Sequence, residues 1–179
     1  MRRRLGIPTI FNRLGPLSNP ARVRFQVSGA VDLPSAAATA RALRSLGLLR
    51  GITMTSDDGC DEFSPNAPTT AIAWNPAGSR RLRLRPADLL PADDRLGGWG
   101  PLTPPAAAEE TERLLAGGGG ARRGSILLTS GAALWVAGIS PSIRLGVDRA
   151  RDALDTGAAE KVLAQLRTLA SKYPRNQEG

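Results

Sequence analysis

Residues 21–56 read ARVRFQVSGAVDLPSAAATARALRSLGLLRGITMTS, and the hydrophobic period changes twice within them. From Arg22 to Val31 the apolar Val23, Phe25 and Val27 alternate with polar partners, the period of two that marks a strand with one buried face. After Asp32, Pro34 suits a first helical turn, and the Ala- and Leu-rich run that follows predicts a helix reaching Leu49, with Gly51 ending it. GITMTS then reads as a second strand, so Arg22 to Ser56 is predicted to form one βαβ unit. Directly beyond it, DDGCDEFSP (57–65) places four carboxylates, Asp57, Asp58, Asp61 and Glu62, within six positions of a chain whose net charge is +8. A charge run is commonly a solvated loop. Open α/β sheets, however, take their ligands outside the carboxyl ends of their strands, and adjacent carboxylates there suit a divalent cation. Both readings stand at this point.

Downstream, TTAIAW and RRLRLRP read as two short strands joined by NPAGS, whose Asn, Pro and Gly fit a hairpin turn. In the second, Arg81, Arg83 and Arg85 share one face and Leu82 and Leu84 the other, a pattern read as a solvated edge strand ahead of a phosphate-binding stripe. RPADLLPADDRLGGWGPLTPP reads as a connector. Pro105 to Ala116 is predicted as a short helix, and Gly117 to Gly120 as a linker, since this glycine run follows no strand. SILLTSGAALWVAG is apolar all round and predicts a buried helix, whereas SIRLGVDRARDALDTG and AAEKVLAQLRTLASKY have amphipathic spacing.

At 179 residues, 41% hydrophobic and 4% aromatic, the chain suits one packed α/β domain built on small residues. It contains no histidine, which excludes histidine acid–base catalysis, a Ser-His-Asp triad and His-ligated zinc. Its one cysteine, Cys60, excludes an internal disulfide framework. Neither a membrane span nor a leader is legible in the sequence, so a cytoplasmic location is expected. Lys161 and Lys172 are the only lysines, so the excess charge is arginine, which forks onto phosphate oxygens.

LGIPTIFNRLGPLSNPA, Leu5 to Ala21, closely resembles the LG-R/P-TIFN-LGPL-NPA signature of the anthranilate phosphoribosyltransferases, nucleoside-phosphorylase-like transferases of tryptophan biosynthesis. The similarity continues in register through DDGCDEFSPNAPT, RLRPADL and GVDRARDALDTGAAEKVLAQL, covering Met1 to Leu169. The resemblance implies a partial α/β domain of the nucleoside phosphorylase/phosphoribosyltransferase type, a mixed sheet flanked by helices, without the family's N-terminal helical region. It implies a C-terminal part spanning residues 1–173, followed by a disordered tail at 174–179. It further implies a pentosyltransferase that moves phosphoribosyl from 5-phosphoribosyl 1-pyrophosphate to anthranilate with Mg²⁺, and a homodimer in the full-length family. Asp61 and Glu62 match the family's metal-binding pair, and Arg2 matches the arginine that faces anthranilate. No protein nucleophile is implied.

The chain also departs from the pattern. The glycine loop GTGGD that wraps pyrophosphate, and KHGN after it, are absent. The expectation is therefore either a fragment from a truncated gene model or one half of a split enzyme whose partner is a separate N-terminal half, and no activity is expected of this chain alone. Thr129 and Ser130 stand where the family has LNAAAAL. Two other readings are a non-catalytic nucleic-acid-binding relative, supported mainly by charge, and a degenerate remnant. Against nucleic acid, the arginines are spread along the chain without aromatic interleaving.

Overall fold

The computed structural model describes residues 15–95 and 100–173. Strands β1 (Phe25–Gly29), β2 (Arg50–Ser56), β3 (Thr69–Asn75) and β4 (Gly78–Leu84) lie in that order across one sheet. β1 and β2 run parallel, with Phe25 opposite Arg50 and Gly29 opposite Met54. β3 and β4 are each antiparallel to the strand before, so the sheet is mixed. The helices are α1 (Leu33–Ser45), α2 (Pro86–Leu89), α3 (Pro104–Leu115), α4 (Arg123–Val136), α5 (Ile143–Asp155) and α6 (Ala158–Lys172).

The βαβ unit is present, with α1 as its crossover. Asp32 caps the helix, its carboxylate accepting the Ser35 amide at 2.7 Å, and proline occupies the first turn. The predicted end is corrected. Helix α1 stops at Ser45 because Gly47 adopts φ 86°, a left-handed conformation that turns the chain back toward the sheet. Gly51 lies inside β2 opposite Trp74, where a Cβ would overlap the indole. The strand predicted from Arg22 to Val31 is shorter, and Val31 is 73% exposed.

Helix α1 covers one face of the sheet, burying Ala40 and Leu43 against Trp74. The opposite face carries the main core, in which Ile52, Met54, Ala71 and Ala73 meet Leu127, Leu128, Ala132 and Val136 of α4. Helix α5 crosses α4 where two glycines coincide: a Cβ at Gly131 would lie 2.6 Å from Val147, and one at Gly146 would collide with the Gly131 carbonyl oxygen. The predicted burial of α4 and the amphipathic character of α5 both hold, α5 burying Ile143, Val147, Ala150 and Leu154. On α6, Val162, Leu166 and Leu169 are each more than half exposed, and none of the helix's residues is buried.

The hairpin forms as predicted. Asn75 pairs with Gly78, and its side-chain carbonyl accepts the Ala77 and Gly78 amides at 2.9 and 3.1 Å. Leu82 and Leu84 of β4 pack against the core while Arg81 and Arg83 face solvent. The segment predicted as a connector is more ordered than that. It holds α2 and a 3₁₀ turn at Ala92–Arg95, from which Asp94 is buried against Arg123 (3.0 Å) and Arg151 (3.4 Å). Burial of that aspartate requires both arginines, and it ties the turn to α4 and α5. The glycine run after α3 lies between helices, as expected, with Gly117 in a left-handed conformation. Among the described residues, no helix is long and apolar enough to cross a membrane.

Candidate active site

Strands β1 and β2 end side by side, and the chain leaving β2 folds over their carboxyl ends. Ser56, the last residue of β2, organises this loop. Its hydroxyl donates to the Glu62 carbonyl at 2.7 Å, accepts the Ser64 amide at 3.2 Å and lies 2.6 Å from the Thr69 hydroxyl. Such a fully bonded buried hydroxyl fixes where residues 57–64 emerge.

The four carboxylates of the loop divide into two pairs. Arg83 of β4 forks onto Asp57, with Nη1 donating to Oδ1 at 2.8 Å and also to the Thr70 hydroxyl at 2.7 Å. That hydrogen bond holds the Asp57 carboxyl below its ordinary value. Arg83, read from sequence as part of a solvated face ahead of a phosphate-binding stripe, is thus a loop anchor. Asp58 turns back on its own loop, accepting the Ser64 hydroxyl at 2.6 Å and the Cys60 amide at 3.2 Å. Both residues are engaged in shaping the loop. Burial pushes the Cys60 thiol upward, a shift reinforced by the carboxylates of Asp58, Glu62 and Asp61.

Asp61 and Glu62 form the other pair. Both are exposed, and both line a cleft of about 360 Å³ whose floor is Gly29 and Met54 and whose far wall is Ser125, Thr129 and Ser130 of α4. Ser125 donates to the Glu62 carboxylate at 3.4 Å across the cleft. The two carboxylates offer hard oxygen donors, and among the described residues no third His, Cys, Asp or Glu completes a metal-binding group with them. That donor set fits an ion such as Mg²⁺, which takes one or two carboxylates and fills its shell with water and phosphate oxygens.

Arg2 and most of the TIFN segment lie outside the described residues. Sequence reading missed Gly29 and Ser125 as cleft residues. A glycine at the end of a strand is a signal of close backbone approach and could have found the first. Nothing in the local pattern marks Ser125. Thr129 and Ser130, noted in the sequence as departures, prove to line the cleft.

A loop over the carboxyl ends of parallel strands, faced by a helix, is the arrangement of an α/β domain, and open sheets of that kind take their ligands at this end. Residues 1–160 match the glycosyl transferase family a/b domain, and the chain belongs to that family. Within it, the chain is similar to anthranilate phosphoribosyltransferases. It is 37% identical to the one from Methylobacterium radiotolerans over 182 residues, covering 100% of this chain and 52% of that protein. It is 39% identical to the one from Thermomicrobium roseum, covering 96% of this chain and 50% of that protein. The crystal structure of the Thermus thermophilus enzyme superposes with a TM-score of 0.72 at 31% identity, over 92% of this chain and 48% of that one. A Saccharomyces cerevisiae anthranilate phosphoribosyltransferase in complex with PRPP and Mg shares the fold, with a TM-score of 0.75 at 24% identity over 91% of this chain and 47% of that one. The chain therefore spans about half the length of the relatives it matches.

Proposed function

We propose that this chain supplies the C-terminal part of an anthranilate phosphoribosyltransferase, joining phosphoribosyl to the anthranilate amine and releasing pyrophosphate. The observation that carries this reading is the placement of Asp61 and Glu62, the pair matching the family's metal ligands, side by side at the mouth of the cleft. Such a transfer needs no protein nucleophile. As the bond from ribose C1 to pyrophosphate breaks, C1 gains positive character, the amine attacks it and then loses its proton, and the rate depends on positioning and on charge stabilisation of the leaving group. Mg²⁺, when bound, supplies that charge stabilisation. The yeast relative solved with PRPP and Mg supports this choice of substrate and ion.

Each residue of this chain then has a definite task. Asp61 and Glu62 hold the ion, Ser125 orients the Glu62 carboxylate, and Asp57 and Asp58 keep the loop in shape through Arg83 and Ser64. Gly29 lets the loop sit low over the strand ends. Domain limits of 1–173 follow the same reading, as do assembly with a separate N-terminal half and a cytoplasmic setting. Pyrophosphate carries more charge than two carboxylates and their ion can cradle from one side, and no glycine loop follows a strand in this sequence to meet the other side.

The test is the decay of anthranilate fluorescence with PRPP and magnesium. We expect no turnover from this chain alone and turnover when the family's N-terminal half is supplied in trans. Clear turnover by the chain alone would refute its incompleteness, and none with the complement would refute the split-enzyme reading.

A further inference from the structure

At the end of the sheet away from the acidic loop, β2 begins, β3 ends and the hairpin turns back. A cleft of about 470 Å³ lies there, lined by Arg50, Arg80, Trp135 and the hairpin residues Asn75, Gly78 and Ser79. The guanidinium carbons of Arg50 and Arg80 stand 5.7 and 5.9 Å from the centroid of the Trp135 ring. Arg50 is fixed in place, its Nη2 donating to the Trp135 carbonyl at 2.9 Å, where the carboxyl end of α4 favours a cation. Among the described residues, neither Arg50 nor Arg80 forms an ion pair, and no Asp or Glu lines the cleft. An adjoining cleft that shares Asn75 is lined by Arg41 and Arg44, again without an acid.

Two cations gathered on one indole repel each other, and the ring offsets only part of that cost. An anion seated between them would relieve the repulsion. We infer that this cleft binds the phosphate group of a small phosphorylated molecule. Guanidinium forks match phosphate oxygens two at a time, and a phosphomonoester carries close to two negative charges at neutral pH, one for each arginine. Arg41 and Arg44 add to the positive field that draws it in. The volume falls within the range of small-molecule pockets and exceeds the need of bare phosphate. Nucleic-acid backbone offers the same chemistry, but of the two indoles that line this cleft Trp74 is 4% exposed and Trp135 already carries both arginines, a poor platform for stacking successive bases. The site is independent of Asp61 and Glu62, so its failure would leave the proposed transferase reading untouched.

Calorimetric titration of the full chain in magnesium-free buffer tests this, using inorganic phosphate, adenosine monophosphate, malonate and a single-stranded oligonucleotide as probes. The expected result is one site per chain that takes both inorganic phosphate and the nucleoside monophosphate, each more tightly than malonate. Arg80→Gln, at an exposed position where the melting curve should stay unchanged, should weaken that binding by about tenfold, the value of one lost charged hydrogen-bonding group. Arg80→Lys should fall between, and Asp61→Asn should have no effect. Absence of binding, equal affinity in Arg80→Gln, or malonate binding as tightly as the monophosphate would overturn the inference. So would an oligonucleotide that binds more tightly per phosphate than the monophosphate.

Discussion

The Asp61 carbonyl oxygen occupies the space in which a side chain on Gly29 would begin, so that a Cβ built there would collide with it. Strand end and acidic loop are therefore in direct backbone contact, and the position of Asp61 over the cleft depends on a missing methyl group. Gly29→Ala should push the loop off the strand end. The cost expected is about 1–3 kcal/mol, as for other overpacking changes, with Mg²⁺-dependent turnover of the complemented enzyme falling further than stability does. Denaturant midpoints and magnesium titrations would check both, and unchanged values would mean that the loop has another way to settle.

Asp61→Asn combined with Glu62→Gln should abolish magnesium-dependent turnover in the complemented enzyme. Both side chains are exposed and neither forms an ion pair among the described residues, so the midpoint of unfolding should move by less than about 0.5 kcal/mol. The pair of measurements separates a ligand role from a structural one.

Asp94→Ala should be among the most damaging single changes outside the hydrophobic core. It strips Arg123 and Arg151 of the carboxylate that both share, and Arg123 is 7% exposed. Arg123 then keeps only the half-exposed Asp155 and Arg151 only Asp148, so the cost should approach but not reach the about 3–5 kcal/mol of a buried charge left with no partner. Replacing Asp94 and Arg123 together by apolar residues should recover much of that loss, as urea unfolding of the single and double variants would show.

The Asp57–Arg83 pair sets a weak acid limit on the loop. Asp57 has a folded value below its unfolded one, so its contribution is present above the ordinary carboxylate range and is lost as pH falls through the lowered folded value. Arg83→Gln should return the Asp57 titration toward the ordinary 3.8. Carboxyl carbon chemical shifts followed from pH 6 to about 2 would report it, and an unshifted midpoint in the variant would remove the pair from the account.

Much of the fold was legible because it rests on local spacing. The helix start at Pro34, the alternation in β4 and the Asn75 turn are each written within a few residues, and each forms where expected. In β1, by contrast, the alternation marks a strand but not its buried face, since Phe25 is exposed and Ser28 is buried. The end of α1 was misread for the converse reason. Leu46 to Leu49 have good helical propensity, yet they are needed to carry the chain back to β2, and the left-handed Gly47 settles the matter. Asp94 escaped notice because its partners are distant in sequence, 29 residues away at Arg123 and 57 at Arg151.

By itself the sequence determined the βαβ unit, the α/β class, the exclusion of histidine chemistry and, through ordered motifs, the family. Hydrophobic period, caps and turns act over one or two turns of chain, so they survive without tertiary context. Only the tertiary structure decided how the four acids of one loop divide. Asp57 is taken by Arg83, which β4 brings across the sheet, Asp58 is taken by Ser64, and Asp61 and Glu62 are left facing Ser125 of a helix 63 residues beyond Glu62. Likewise it alone gathered Arg50, Arg80 and Trp135 at the far end of the sheet. Charged side chains carry no periodic signal of their partners. Which of them pair, and which remain free to meet a ligand, is fixed by how the sheet and helices pack.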